Sequence, residues 1–149
     1  MDAPSPQFDA YRAILAQHQA LDALLARIDR ALTERTATTA EVGELLLQLG
    51  DRLAKHFATE EDGGYFADAL THAPQLVATA NQLLAQHPMM CSRAQELVSA
   101  VEISPLAEPD WWEETTRRFR AFRDELSRHE TRENVLLQEA YGRDIGSHD

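Results

Sequence analysis

A histidine and a glutamate four residues apart, set on the apolar stripe of a helix, constrain this chain more than any other feature. Phe119, Phe122, Leu126, Leu136 and Ala140 recur at helical spacing, and His129 and Glu133 fill the gap on the same face. The pattern occurs earlier too, where Leu45, Leu49 and Leu53 lead into His56 and Glu60. Two polar pairs on core-directed faces need a shared explanation, because burying a polar group is costly unless it is satisfied.

Two further histidines extend the pattern. His18 lies among Tyr11, Ile14, Leu15, Leu21, Leu25 and Ile28, and His87 among Leu76, Leu83, Leu84, Met90, Ala94, Leu97 and Val98. The polar, β-branched segment 33–39 separates the first two helical stretches, and Thr38 three before Glu41 reads as a capping box. Ala73-Pro74 separates the next pair, and Ser104-Pro105 with Glu108-Pro109-Asp110 the last, Asp110 reading as a cap for the final helix. The predicted helices cover about 8–32, 39–70, 74–100 and 110–141, after a short arm at 1–7 and before a mobile tail at 143–149. Gly63-Gly64 should soften the second helix, and Pro88 should kink the third by freeing the Leu84 carbonyl.

Four long helices, short loops and no strand-like alternation predict an all-α, up-down-up-down antiparallel four-helix bundle, one domain over residues 1–149. Two residues on an antiparallel helical hairpin face each other when their midpoint falls in the loop. The midpoint of His18 and His56 falls in segment 33–39, that of His56 and His87 beside Ala73-Pro74, and that of His87 and His129 within 104–110. All four histidines therefore share one level of the bundle. At a 1.5 Å rise per residue, the i and i+4 members of His56/Glu60 and His129/Glu133 lie about 6 Å apart along the axis, aimed at one region. Two such pairs on facing helices suit a binuclear centre with bridging carboxylates. Imidazole with carboxylate favours iron, manganese or zinc over calcium or magnesium, and no cysteine pair supplies a thiolate site.

The order of motifs resembles that of the hemerythrin-like, HHE cation-binding family: Gln17-His18-Gln19, then His56-Phe57-Ala58-Thr59-Glu60-Glu61, then Gln86-His87-Pro88, then His129-Glu130-Thr131-Arg132-Glu133. The resemblance runs from about Phe8 to Gly142. It implies a hemerythrin-like fold and two non-haem iron ions with an oxo or hydroxo bridge, manganese or zinc being less favoured. It further implies terminal ligands His18, His56, His87 and His129, with Glu60 and Glu133 bridging. Oxygen-carrying members have a second histidine one turn before the helix-three ligand, where this chain has Leu83, and a carboxylate five residues after the helix-four histidine, where it has Asn134. The open positions this leaves favour sensing, storage or scavenging of O₂, peroxide or NO over dedicated carriage. A di-iron oxidase or peroxidase, and a bundle stapled by a structural zinc, are the alternatives.

Among neighbouring residues, Glu61 and Glu130 sit about 100° around the helix from a ligand, which suits a solvated or supporting role. Tyr65 reads as a packed aromatic at the glycine bend, Trp111 and Trp112 as packing at the bundle end, and Met89, Met90 and Cys91 as core or flank. His72 and His148 lie off the stripes, and the Arg/Glu-rich pattern from Glu113 to Glu125 reads as a solvated face. A net charge of −11 and a pI near 4.9 disfavour nucleic acid and anionic membrane partners. The single cysteine, Cys91, and the lack of a signal-like N-terminus or an 18-residue apolar run predict a soluble cytoplasmic protein.

Overall fold

The computed structural model describes the backbone of residues 6–62, 65–102 and 106–146, and side chains within 12–62, 66–102 and 106–140. Helix α1 spans Pro6–Glu34, α2 Thr39–Asp62, α3 Tyr65–His72, α4 Val77–Glu102 and α5 Glu108–Gly146, with a 3₁₀ turn at Pro74–Leu76 before α4. No strand occurs among the described residues.

The helix ends follow local chemistry. At the end of α1 the Arg35 N–H donates to the Ala31 carbonyl (3.0 Å), and Arg35 itself takes a left-handed φ of 53°. Helix α2 then opens with the expected capping box: Thr38 Oγ1 accepts from the Glu41 N–H (3.1 Å), and the Glu41 carboxylate accepts from the Thr38 N–H (3.4 Å). The long helix predicted over 39–70 is two helices, α2 and α3. Gly63 and Gly64, the residues expected to soften it, lie outside the described residues, as do Ser104-Pro105, His148 and the side chains of Tyr11 and Tyr65.

Three boundaries differ from the sequence reading. Helix α1 starts at Pro6, inside the expected arm, because proline suits a first helical turn whose N–H groups lack partners. Helix α5 starts at Glu108, with the Trp111 N–H donating to the Ala107 carbonyl (2.9 Å); Pro109 sits in the first turn and Asp110 lies inside the helix rather than capping it. The far end of α5 runs past Gly142 to Gly146, into the expected mobile tail. One helical glycine costs about 1 kcal/mol, too little alone to end a helix.

Helix α1 packs against α2 and α5, α2 against α4, and α4 against α5, while α3 lies mainly against α5. The long helices thus close a ring around two apolar clusters. The larger contains Leu21, Leu25, Ile28, Leu46, Leu49, Leu53, Met90, Leu97, Phe119 and Leu126, with Trp111 and Trp112 at its end. The indole rings of those tryptophans meet edge to face at 5.0 Å, and Trp111 Nε1 donates to the Val101 carbonyl at 3.1 Å. The smaller cluster contains Ile14, Phe66, Ala69, Ala80, Leu83, Leu136 and Leu137. Along the chain the predicted polar residues fall between the two: His18 between Ile14 and Leu21, His87 between Leu83 and Met90, His129 and Glu133 between Leu126 and Leu136. Pro88 is exposed and α4 continues through it, so His87 stays in the buried layer.

Candidate metal centre

All six residues singled out by their spacing are buried, and Glu60 and Glu133 are wholly inaccessible. The structure brings them into two groups whose potential donor atoms lie within 4.8 Å of one another: His18, His56, Glu60 and Glu133 in one, His87, His129 and Glu133 in the other. Glu133 belongs to both. Glu60 also faces both, its Oε1 lying 3.6 Å from His18 Nε2 and its Oε2 lying 3.4 Å from His87 Nε2. Within the helices, His56 Nε2 contacts Glu60, and His129 Nε2 lies 2.7 Å from Glu133 Oε1. Two carboxylates thus stand between two pairs of imidazoles.

Despite these contacts, all four Nε2 atoms and all four oxygens of Glu60 and Glu133 are buried without a hydrogen-bond partner of acceptable geometry. The separations are short, but the groups do not point at one another as donor and acceptor. They converge on common points instead. Such a set is expensive to bury unless a cation satisfies it, and nitrogen and oxygen donors without thiolate fit iron, manganese or zinc. The donor set therefore fits a metal pair.

The outward-facing ring nitrogens are held from neighbouring helices. Gln17 Oε1 lies 2.6 Å from His56 Nδ1, Glu61 Oε1 lies 3.0 Å from His87 Nδ1, and Gln86 Oε1 lies 2.7 Å from His129 Nδ1. These are acceptors for Nδ1–H, and they leave Nε2 deprotonated and turned to the centre. The supporting role expected of Glu61 is met by this contact. Gln17 and Gln86 were not singled out for a role from the sequence, although each immediately precedes a buried histidine. Phe57 was missed as well: it stacks on His87 with centroids 3.8 Å apart and planes 5° apart, and meets His129 edge-on at 5.5 Å.

Glu130 departs from the solvated alternative, being 8 % exposed with Oε1 unpaired, yet it belongs to neither donor group. Burial pushes its carboxyl up to about 7. In the metal-free centre, burial and then the adjacent Glu60 push Glu133 up to about 11. Glu60 goes the other way: burial opposes its charge, but the adjoining His18, His56 and His87 imidazoles hold it far below the usual carboxylate range. His129 is lowered to about 4 by burial and by the charge of His87. Burial also lowers His18, but Glu60, Glu130 and Asp22 outweigh it and the net shift is upward. One carboxylate of the pair is thus ionised and the other keeps a proton.

Residues away from the centre behave as side chains of a packed bundle. Met90 is core and Met89 exposed, while burial followed by the charge of Glu61 raises the Cys91 thiol. On the α5 face, Arg118 pairs with Glu114 at 2.9 Å, Arg120 with Asp29 at 3.2 Å, and Arg93 with Glu125. Among the described residues no helix is long and apolar enough to cross a membrane.

Comparison with curated proteins and with solved structures gave no match. The model of the Hemerythrin HHE cation binding domain matches residues 9–141, which include all six buried residues of the centre. Both the four-part order of motifs and this match over most of its length place one family on the chain: it belongs to the hemerythrin HHE cation-binding domains.

Proposed function

We propose that this protein is a non-haem di-iron domain that binds or senses O₂ or a related small molecule such as peroxide or NO. Its ligands are His18, His56, His87 and His129, with Glu60 and Glu133 as bridging carboxylates, carried on an up-down-up-down four-helix bundle to which α3 is an addition. The observation that carries this reading is the set of inward-facing Nε2 and carboxylate oxygen atoms, buried and unpaired, that converge in two groups sharing Glu133. When bound, the iron pair supplies redox chemistry and exchangeable positions for a small ligand. The chain supplies the rest. Gln17, Glu61 and Gln86 fix three rings in the tautomer that offers Nε2.

Phe57 lies against the His87 ring and excludes water from that side. Leu83, wholly buried where oxygen carriers of this family have a histidine, packs with the smaller apolar cluster and offers no donor. That substitution leaves the centre more open than a dedicated carrier needs, which favours sensing, storage or scavenging. The one half-buried cysteine and the acidic surface suit the reducing cytoplasm, with no nucleic acid or membrane partner.

Elemental analysis with an ultraviolet–visible spectrum tests the reading, on the wild type and on His129→Ala/Glu133→Ala. About two irons per chain, with a ligand-to-metal charge-transfer band lost in the double variant, is the expected result. The reduced protein should then change its spectrum on addition of O₂, peroxide or NO. A single zinc, or no metal, unchanged in the double variant, would refute the proposal.

A further inference from the structure

The centre has a hidden two-fold pattern. Gln17-His18 on α1 with His56, Glu60 and Glu61 on α2 form one half; Gln86-His87 on α4 with His129, Glu133 and Asn134 on α5 form the other. Within each half the glutamine before the first histidine holds the histidine of the second helix, Gln17 on His56 and Gln86 on His129. Between halves, the residue after the first carboxylate reaches across to the next histidine, Glu61 on His87. The reciprocal contact would run from the residue after the second carboxylate, Asn134, to His18.

Both atoms needed for that contact are unaccounted for. His18 Nδ1 and Asn134 Oδ1 are buried and without a hydrogen-bond partner. The register between α1 and α5 places them at one level. Arg120 reaches Asp29 and Thr33, and Arg123 lies 3.8 Å from Asp29, so the two helices run in opposite directions there. Three helical turns onward from Arg123 lies Asn134, and three turns back from Asp29 lies His18. Glu130, one turn before Asn134, falls beside Asp22, one turn after His18, and the two carboxyl groups interact.

We infer that Asn134 is the fourth positioning residue of the centre, its Oδ1 accepting the His18 Nδ1–H as Gln17, Glu61 and Gln86 accept those of the other imidazoles. A ring that offers Nε2 to a metal must carry its proton on Nδ1, and a buried N–H needs an acceptor. Asn134 is the acceptor that symmetry and register both indicate. The two halves then differ in one respect: His87 is held by a carboxylate and His18 by an amide. A carboxylate makes an imidazole the more basic donor. The two metal positions are therefore inequivalent, the half containing His87 having the stronger donor.

This inference rests on the metal reading of the centre but not on the identity of the metal or of the small ligand. Zinc(II) serves as the diamagnetic probe, with ¹⁵N-labelled protein followed by imidazole N–H correlation spectra and by competition with a chelator. In the zinc-loaded wild type, four slowly exchanging Nδ1–H signals are expected, that of His18 assigned with His18→Gln. Asn134→Leu, of similar volume but without an acceptor, should lose protection of the His18 signal alone. Its affinity for one of the two zinc ions should fall about 10–100-fold. Asn134→Asp should restore both, and circular dichroism checks that each variant remains helical.

Unchanged signals and affinity in Asn134→Leu would overturn the inference. So would loss of the His18 signal in Glu130→Gln but not in Asn134→Leu, which would make Glu130 the acceptor. A wild type that takes up no zinc and no iron would instead remove the metal reading, and this inference with it.

Discussion

Stripping the metal from the centre should destabilise the whole bundle, by an amount that the buried donors set. In the metal-free chain four Nε2 atoms and four carboxylate oxygens lie buried without a properly aligned partner. An unsatisfied buried polar atom costs about 1–3 kcal/mol. The short imidazole–carboxylate contacts recover part of this, as the downward shift of Glu60 indicates. From the other direction, a metal present at a thousand times its dissociation constant stabilises the folded state by about 4 kcal/mol. For a chain of this length that is a shift of about 8–16 °C in Tm. The assay is a thermal melt followed by circular dichroism, on protein as isolated, after chelation, and after reloading with ferrous iron.

A pH series sharpens the same experiment. The folded Glu133 carboxyl is raised from its ordinary 4.5 to about 11, so the metal-free folded state holds a proton that the unfolded state loses. Its contribution is fully present below pH 4.5 and is lost as pH rises toward 11, so the chelated protein should melt progressively lower from pH 5 to pH 9. With the ion in place of that proton the Glu133 part of the decline should vanish, and metal uptake should release protons. Equal melting temperatures with and without metal at every pH would refute the argument that these atoms are buried for a cation.

Other outcomes follow from single contacts. Leu53→Ala, at a wholly buried position of the larger cluster, should cost about 2–5 kcal/mol in urea unfolding without altering metal content. Thr38→Ala removes the capping box of α2 and should cost about 1 kcal/mol, read in the same titration. Gln86→Ala leaves the His129 ring unheld and should weaken metal binding about 10–100-fold in a chelator competition, with helix content unchanged. A Gln86→Ala protein that binds metal as tightly as the wild type would count against the ring-holding role of that residue.

The level of the four histidines was legible in the sequence because helical period and loop midpoints are both local quantities. His18, His56, His87 and His129 each sit on the one stripe that such a reading tracks. What it did not track is that a helix in a closed ring has neighbours on two sides. A residue 100° from a ligand faces the next helix as readily as it faces water. Gln17 and Gln86 are that kind of residue, each holding a ring on an adjacent helix, whereas for Glu61 and Glu130 the supporting alternative is readable from the same offset. Helix ends were legible where a side chain makes them, as at Thr38, and not where they turn on a residue's tolerance for helix, as at Pro6 and Gly142.

The division of the core into two clusters bears on why a polar layer survives in such a bundle. Apolar packing above and below is complete without it: Leu53, Leu126 and Leu21 close one side, Ile14, Leu83 and Leu136 the other. Replacing the six polar side chains by apolar ones of similar volume would merge the clusters and remove the unpaired Nε2 and carboxylate oxygens of the layer, a change that is often neutral or stabilising for buried ion pairs. Stability alone therefore does not account for His18, His56, Glu60, His87, His129 and Glu133. A bound cation does, because it satisfies atoms that neither packing nor hydrogen bonding uses. The same layer confines the metal to the one height at which Gln17, Glu61, Gln86 and Asn134 can act on the backs of the rings. A chain with all six apolar replacements should accordingly melt no lower than the metal-free protein while binding no metal at all.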